Sequence, residues 1–312
     1  MIRALLLSIL VAGSAHAQRW PARPIHVVVP SPPGGPPDLI IRMLAPKMNL
    51  GQPLVVDNRP GAGGVVGTAY VAKQPADGYT WLFTTASHVN TPPFNENVPF
   101  DPVKDFTHVT LAAQNFGQAL LVRPDAPFTT VGQLIDEARR HPGKLNYASA
   151  GIGTASHIPA ELMKSMAGVD IVLVPYKGVA EAVTDVLAGR MDLFFVGTQL
   201  AAQHAKSGKA RVLALTGAKR WKGLPDTPTM QEAGFRDFNI INWFGAWLPA
   251  GAPPEIANRI HAEVVKALAD ADVKQQFDVQ GLEGVGMPPA EFAKFVAKES
   301  AFINELARKI RK

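Results

Sequence analysis

The chain has 312 residues, of which 47% are hydrophobic and 18% are charged, and its formal net charge at pH 7 is +5. This length and composition are typical of a globular protein with a substantial core and two domains, and they exclude a disordered chain. The absence of cysteine excludes a disulfide framework, a thiolate metal site and a lipid-modified N-terminal cysteine.

Residues 1–17 have the three parts of a secretory signal peptide. A positively charged start, Met1–Arg3, precedes the apolar run Ala4–Ala12, and Ala15–Ala17 supplies the small residues of a cleavage site. The apolar run is far shorter than the roughly 20 residues that a membrane-spanning helix needs. We therefore expect cleavage after Ala17 and an exported mature protein that is free in solution.

Short apolar strands alternate with helical patterns along the rest of the chain. Helices are predicted from Pro37, after a cap at Thr129, from Pro254 and over the last residues, because apolar side chains recur there on one helical face. This alternation predicts an α/β fold with mostly parallel sheets. The predicted strands are Ile25–Val29, Leu54–Asn58, Tyr79–Phe83, Gln118–Arg123, Lys144–Ala148, Asp170–Pro175, Asp192–Val196 and Arg211–Thr216.

Two of these strands lead into glycine-rich turns that precede helices. Pro30–Arg42 reads PSPPGGPPDLIIR, and Asn146–His157 reads NYASAGIGTASH. Glycine lets backbone amides approach a ligand closely, and the helix that follows directs the positive end of its dipole at the same place. Taken singly, each loop is more typical of an ordinary capped turn. Together they predict two helix N-termini that face one cleft and bind an anion such as a carboxylate.

Other motifs give little support to other chemistries. Gly61–Gly67 reads GAGGVVG, which is one residue too long for the dinucleotide fingerprint, and the histidines have no metal-binding spacing. Tyr147–Gly151 lacks the first glycine of a nucleophile elbow, although Ser149 and His157 would still allow an exported enzyme. The basic end Arg308–Lys312 suits a helix C-terminus. We therefore expect no cofactor, no metal and no nucleic-acid partner.

Eight segments of the sequence occur in the order of a known family: Trp20–Asp38, Gly51–Gly64, Ala76–Leu82, Val98–Phe106, His141–His157, Pro175–Gly178, Leu224–Gly234 and Trp243–Pro253. Through them the chain resembles the Bug family, the TctC-like periplasmic solute receptors of tripartite tricarboxylate transporters. The resemblance covers essentially the whole mature chain. The first helix departs from the family pattern, because it is shorter and Pro46 interrupts it.

The resemblance implies a two-lobed Venus-flytrap fold of the periplasmic-binding-protein type II class. Lobe 1 would comprise residues 18–124 and 240–312, lobe 2 would comprise residues 125–239, and the ligand would lie between them. Trp243 joins the candidate ligand contacts because the chain that crosses back from lobe 2 would pass the cleft there. The full set of candidates is Ser31, Gly34, Gly35, Asp38, Ser87, His88, Ser149, Gly151, Gly153, Thr154, Ser156, His157, Gly197, Thr198 and Trp243.

The function that follows from the resemblance is that of a monomeric receptor in the periplasm of a Gram-negative bacterium. It would capture a small carboxylate and deliver it to membrane transporter subunits, with no catalytic residue involved. The sequence leaves open whether the ligand is a dicarboxylate, a tricarboxylate, an amino acid or an aromatic acid. Two alternatives stay open as well: an orphan receptor that signals to a membrane sensor, and an exported enzyme in which Ser149 or Asp38 acts on a small carboxylate.

Overall fold

The computed structural model describes residues 20–176 and 178–310, so the predicted signal peptide lies outside the described residues. The strands form a six-stranded and a five-stranded sheet, and helices pack around both. The strands are β1 (Ile25–Val29), β2 (Leu54–Asn58), β3 (Thr80–Thr85), β4 (Phe106–Asn115), β5 (Gln118–Val122), β6 (Asn146–Ser149), β7 (Val172–Pro175), β8 (Leu193–Gly197), β9 (Arg211–Leu215), β10 (Trp243–Pro249) and β11 (Leu282–Met287).

Helices connect most of these strands. They are α1 (Pro36–Leu44), α2 (Val65–Ala72), α3 (Ser87–Asn90), α4 (Val131–Arg140), α5 (His157–Ala167), α6 (Val179–Leu187), α7 (Thr198–Lys206), α8 (Pro254–Ala269), α9 (Ala271–Gln280) and α10 (Pro289–Ile310). Within residues 20–176 and 178–310, none of them combines the length and the apolar character that a membrane crossing requires.

The helix boundaries follow from local sequence chemistry. Helix α8 begins at Pro254, as predicted. Helix α1 ends at Leu44, directly before a 3-10 turn that contains Pro46. The cap of α4 is Thr130 and not Thr129, because the Thr130 hydroxyl accepts a hydrogen bond from the Gln133 amide at 3.2 Å. Proline thus determines where the first helix stops, and a threonine hydroxyl determines where α4 begins.

Both sheets are mixed, which corrects the prediction of mostly parallel sheets. The first has the strand order β11-β4-β10-β3-β1-β2, and only the pairs of β1 with β2 and β3 are parallel. The second has the order β7-β6-β8-β5-β9, with β5 antiparallel to both of its neighbours. The prediction failed because it lacked β4, β10 and β11, which supply the antiparallel part of the first sheet.

The chain crosses between the sheets at two neighbouring places. Phe116 and Gly117 lead from β4 to β5, and residues 239–242 lead back to β10. The Asn115 amide donates to the Asn242 carbonyl at 2.9 Å, and the Asn242 amide donates to Asn115 Oδ1 at 2.9 Å. Gly117 has a φ of 92°, and a Cβ there would lie 2.5 Å from the Gly217 amide nitrogen, so this crossing requires glycine.

Strand pairing places the first crossing earlier than the sequence predicted. β5 hydrogen-bonds to β8 and β9, so it belongs to the second sheet although the predicted lobe boundary lies after Pro124. The sequence pattern of β5 cannot reveal this, because an apolar strand reads alike in either sheet. The second crossing lies at residues 239–242, next to the predicted boundary. The division of the chain into two lobes remains a prediction.

Each face of the first sheet has its own apolar core. Side chains alternate along β10, so Phe244 packs with Trp81 and Ile260 towards α1 and α8, whereas Trp243 packs with Phe292 towards α10. The second half of α10 reaches the other sheet, where Ile303 packs against Ile158 of α5. One side of the junction between the sheets is therefore filled by apolar contact.

We expect Gly67→Ala to lower the free energy of unfolding by about 1–3 kcal/mol, because α2 packs too closely for a methyl group. A Cβ at Gly67 would lie 2.7 Å from the Arg59 carbonyl oxygen and 2.8 Å from Pro30 Cβ. Gly132→Ala is the matched control, since Gly132 is also helical and its nearest neighbour, Thr130 Oγ1, is 3.8 Å away. Urea denaturation should show destabilisation in the first variant only; equal stability of both variants would contradict the tight packing.

Candidate functional site

The parallel strands of both sheets end beside loops that lead into helices. In the second sheet β6 and β8 are neighbours: β6 ends at Ser149, where the loop to α5 begins, and β8 ends at Gly197, directly before α7. In the first sheet β1 ends ahead of α1 in the same way. The space beyond the carboxyl ends of parallel strands is where open α/β sheets bind ligands. These loops therefore border the candidate site.

A buried carboxylate holds the loop between β1 and α1. Asp38 Oδ2 accepts a hydrogen bond from the Gly34 amide, and Asp38 Oδ1 accepts from Arg42 Nε and Asn58 Nδ2, each at 2.9 Å. Burial by itself raises the pKa of Asp38, but the donors on Arg42, Gly34 and Asn58 outweigh it, so the pKa is lowered. Both oxygens are occupied within the protein. Asp38, a predicted ligand contact, acts instead as a brace of the loop.

The rest of this loop offers few free donors. Pro36 and Pro37 open α1 and have no N–H, and Asp38 places a negative charge in the first turn. The Gly35 amide donates to the Pro32 carbonyl at 3.2 Å. Ser31 Oγ is buried and has no hydrogen-bond partner among the described residues. The Asp38 carboxylate thus already balances the positive end of the α1 dipole.

Hydroxyl groups tie the second glycine loop to itself. Ser149 Oγ and Thr154 Oγ1 both donate to the Gly151 carbonyl, at 2.9 and 2.7 Å. Ser156 Oγ accepts from the Ala150 amide at 3.0 Å and lies 2.9 Å from Thr154 Oγ1. The serine and threonine side chains predicted to bind a ligand are therefore engaged in fixing the shape of the loop.

His157 completes this network. Its Nδ1 accepts a hydrogen bond from the Gly153 amide at 3.3 Å, and its ring meets the edge of Phe94 with centroids 5.7 Å apart. Burial lowers the pKa of His157; Lys164 lowers it further and Glu161 opposes them. His157 is therefore a neutral hydrogen-bond acceptor, and its ring packs the second glycine loop against Phe94.

His88, one of the predicted ligand contacts, lies in the core of the first sheet. His88 is 2% exposed and donates from Nε2 to the Pro102 carbonyl at 2.9 Å. Its ring centroid lies 4.4 Å from that of Trp247 and 4.8 Å from that of Phe106, and burial lowers its pKa to about 3. It is a neutral core residue. The neighbouring Ser87 hydroxyl accepts a hydrogen bond from Thr85 Oγ1 at 2.9 Å.

Trp243, another predicted ligand contact, lies on the face of β10 that packs towards α10. It is fully buried, and its ring centroid is 5.2 Å from that of Phe295 and 5.9 Å from that of Phe292. The next residue, Phe244, points to the opposite face of the sheet and lines a cavity. The alternation of side chains along a strand explains these opposite positions.

That cavity, of about 390 Å³, lies at the junction of the two sheets. Gly197 and Thr198 are the predicted site residues that line it. Sequence reasoning missed the others, although Gln118 stands out as the polar start of an apolar strand. None of the described lining residues is ionisable. They are Pro36, Leu39, Ile40, Asn115, Gln118, Val179, Val196, Gly197, Thr198, Gln199, Leu200, Asn242, Phe244, Gln280 and Leu282.

No group of three or more His, Asp or Glu side chains within the described part of the chain is arranged to hold a metal ion. The hydrogen-bonding groups of the cavity are carboxamides, a hydroxyl and backbone amides. Such groups can bind and orient a solute.

Comparison with known proteins gives consistent matches over most of the chain. A family model described as "Tripartite tricarboxylate transporter family receptor" matches residues 40–311. A protein encoded in the tcbD-tcbE intergenic region of Pseudomonas sp. (strain P51) is 38% identical over 297 residues, which cover 93% of this chain and 88% of that protein.

Solved structures agree with this result. The periplasmic binding protein BugD has a TM-score of 0.76 and 33% identity, covering 93% of this chain and 98% of its own. Rpa4515 of R. palustris with adipate has a TM-score of 0.78 and 34% identity, covering 93% and 97%. MatC from Rhodopseudomonas palustris with bound malate has a TM-score of 0.76 and 28% identity, covering 92% and 100%.

We expect Asp38→Asn to lower the free energy of unfolding at pH 7 by about 1–3 kcal/mol, because an amide cannot accept from all three donors around it. The folded-state pKa of Asp38 is lowered from its ordinary value of 3.8. Its contribution is therefore fully present above pH 3.8 and is lost as the pH falls through the folded pKa. The difference between wild type and variant, measured by urea denaturation, should shrink below about pH 4.

Asp125→Asn is the control for this comparison, because Asp125 is exposed and pairs only with Arg123 at the surface. Its effect should stay within about 0.5 kcal/mol at every pH. A gap between wild type and Asp38→Asn that stayed constant down to pH 2 would contradict an ionised brace.

Proposed function

The chain belongs to the tripartite tricarboxylate transporter family of receptors, and on that premise we propose that it binds a small carboxylate in the cavity between its two sheets. Members of this family are periplasmic solute-binding proteins, and the mixed α/β two-sheet fold of the chain is theirs. The family predicted from the sequence motifs is thereby confirmed. The ligand, its binding residues and its onward transfer are the subject of the proposal.

The cavity is the observation that carries the proposal. Its walls come from α1 and β10 on one side and from α6, β8 and α7 on the other, and Asn115, Gln118 and Asn242 lie at the crossings. A volume of about 390 Å³ falls within the range of small-molecule sites, about 300–1,000 Å³. A solute in this position would contact both sheets at once.

A solute that touches both sheets would also favour their approach. The crossings consist of two short segments joined through Asn115 and Asn242, as expected of a hinge. A ligand shifts such an equilibrium by as much as it prefers the closed arrangement. We infer that closure around the solute creates the form that membrane transporter subunits recognise.

Related receptors support a small carboxylate as the solute. One neighbour was solved with adipate and another with bound malate, both small carboxylates. The cavity of this chain is neutral among its described residues, so the negative charge of such a ligand would be met by backbone amides and amide side chains. We infer a receptor that works in the periplasm as a monomer, exported by the signal peptide predicted at residues 1–17.

The enzyme alternative gains no support from the predicted Ser149–His157 pair. Ser149 Oγ contacts Gly151 and Ser156, whereas His157 Nδ1 accepts from the Gly153 amide. Nucleophilic catalysis requires the base to lie within hydrogen-bond distance of the nucleophile. We infer a binding function without a cofactor, and the genes beside this one would tell uptake from signalling.

We expect at least one small carboxylate to raise the melting temperature of the exported, refolded protein in a concentration-dependent way. At a ligand concentration of about 100 times the Kd the stabilisation is about 2.7 kcal/mol, which scanning calorimetry detects readily. The panel should pair each acid with its own amide, for example adipate with adipamide, because the pair differs in charge and little in shape. Stabilisation by the amides alone, or by no acid at all, would contradict a carboxylate receptor.

A further inference from the structure

The two sheets touch on both faces of the first sheet, and the two contacts differ in character. On the α10 face the contact is apolar: Ile303 of α10 packs with Ile158 of α5, and Phe94 packs against the same cluster. On the opposite face, which α8 and α9 cover, the contact is mostly polar and exposed. Buried apolar contacts are harder to separate than exposed polar ones. A rotation at the crossings would therefore break the polar contact first.

The end of α9 makes this polar contact. Val273 and Phe277 fix α9 to the core of the first sheet. The last carbonyls of a helix have no intrahelical donor, and the Val279 carbonyl accepts a hydrogen bond from Gln199 Nε2 at 2.7 Å. Gln199 lies in the first turn of α7, directly after β8 of the second sheet. A side chain beside one sheet thus caps a helix that packs on the other.

Two further contacts lie beside this hydrogen bond. Lys222 Nζ is 2.7 Å from Asp278 Oδ1, and both side chains are exposed. Trp221 belongs to an apolar cluster of the second sheet and is buried. Its ring lies so close to the left-handed turn that ends α9 that a Cβ at Gly281 would be 3.2 Å from ring atom Cζ2. We name three contacts together the α9 clasp: Val279 with Gln199, Asp278 with Lys222, and Gly281 with Trp221.

The α9 clasp borders the cavity between the sheets. Gln199 on one side and Gln280 and Leu282 on the other line this cavity, as do Asn115 and Asn242 at the crossings. The clasp and the crossings are thus separate connections around one space. A rotation at the crossings that widens the cavity on this side moves α7 away from α9, so it requires the clasp to break.

We propose, resting on the receptor function above, that the α9 clasp holds the cavity closed. The solute enters when the clasp opens, and it is enclosed when the clasp forms again. An exposed salt bridge contributes little by itself, and a contact made largely of exposed groups opens readily. The clasp therefore sets the fraction of molecules in the closed arrangement, and the apparent Kd varies inversely with that fraction.

Spin labels test the clasp without any ligand, because the chain has no cysteine of its own. Gln203→Cys and Gln275→Cys place labels at exposed positions of α7 and α9, about one helical turn from the clasp. Double electron–electron resonance measures the distance between them. We expect Asp278→Lys to populate a longer distance, because it sets a cation against Lys222. Adding Lys222→Asp to that variant should restore the original distance, because the swapped charges pair again.

Asp125→Lys is the matched control for this measurement. It makes the same change of charge at an exposed pair, with Arg123, outside the clasp, so the distance should stay unchanged. High salt should reduce the effect of Asp278→Lys, because repulsion between exposed charges is screened. A distance that does not respond to Asp278→Lys, or that the charge swap fails to restore, would overturn the proposal.

Titration calorimetry connects the clasp to binding, with adipate as the first probe and then the other acids of the panel. We expect Asp278→Lys to weaken binding at least threefold relative to Asp125→Lys, and Lys222→Asp in the same chain to restore it. Neither Asp278 nor Lys222 is among the described residues that line the cavity, so the effect would act through closure. A longer distance with undiminished affinity would overturn the role of the clasp while the receptor function stands. If no acid binds to the unmodified protein, the receptor function and the role of the clasp in binding both fail.

Discussion

Two hydrogen-bonded chain crossings determine how the two sheets of this receptor meet. Asn115 and Asn242 join them through reciprocal bonds of 2.9 Å, and Gly117 makes the first crossing tight enough to place β5 directly beside β8. Because the crossings lie together, the carboxyl ends of the parallel strands in both sheets border one space. The cavity that α1 and α7 line together, and the closure proposed for it, depend on this constraint.

Internal hydrogen bonds hold the two glycine loops in shape. Asp38 holds the first loop through three hydrogen bonds, and Ser149, Thr154 and Ser156 hold the second. A loop fixed in this way loses little conformational freedom when a ligand binds. The amide side chains that line the cavity, Asn115, Gln118 and Asn242, lie outside both loops.

The local features of the fold could be predicted from the sequence, whereas those that depend on strand pairing could not. The strands Ile25–Val29 and Leu54–Asn58 and the two glycine loops follow from short-range patterns, and all of them are present. Whether the His88 and Trp243 side chains point into the core depends on which side of α3 and of β10 is buried. The sequence alone does not decide this. Gln118 lines the cavity only because β5 pairs with β8, a contact between distant segments.

The most direct test is a crystal structure of the receptor with the small acid that calorimetry ranks as the tightest. We expect the acid to lie in the cavity between the sheets, in contact with Phe244 on one side and with Gly197 and Thr198 on the other. An acid bound elsewhere, with no contact to the residues that line this cavity, would contradict the account.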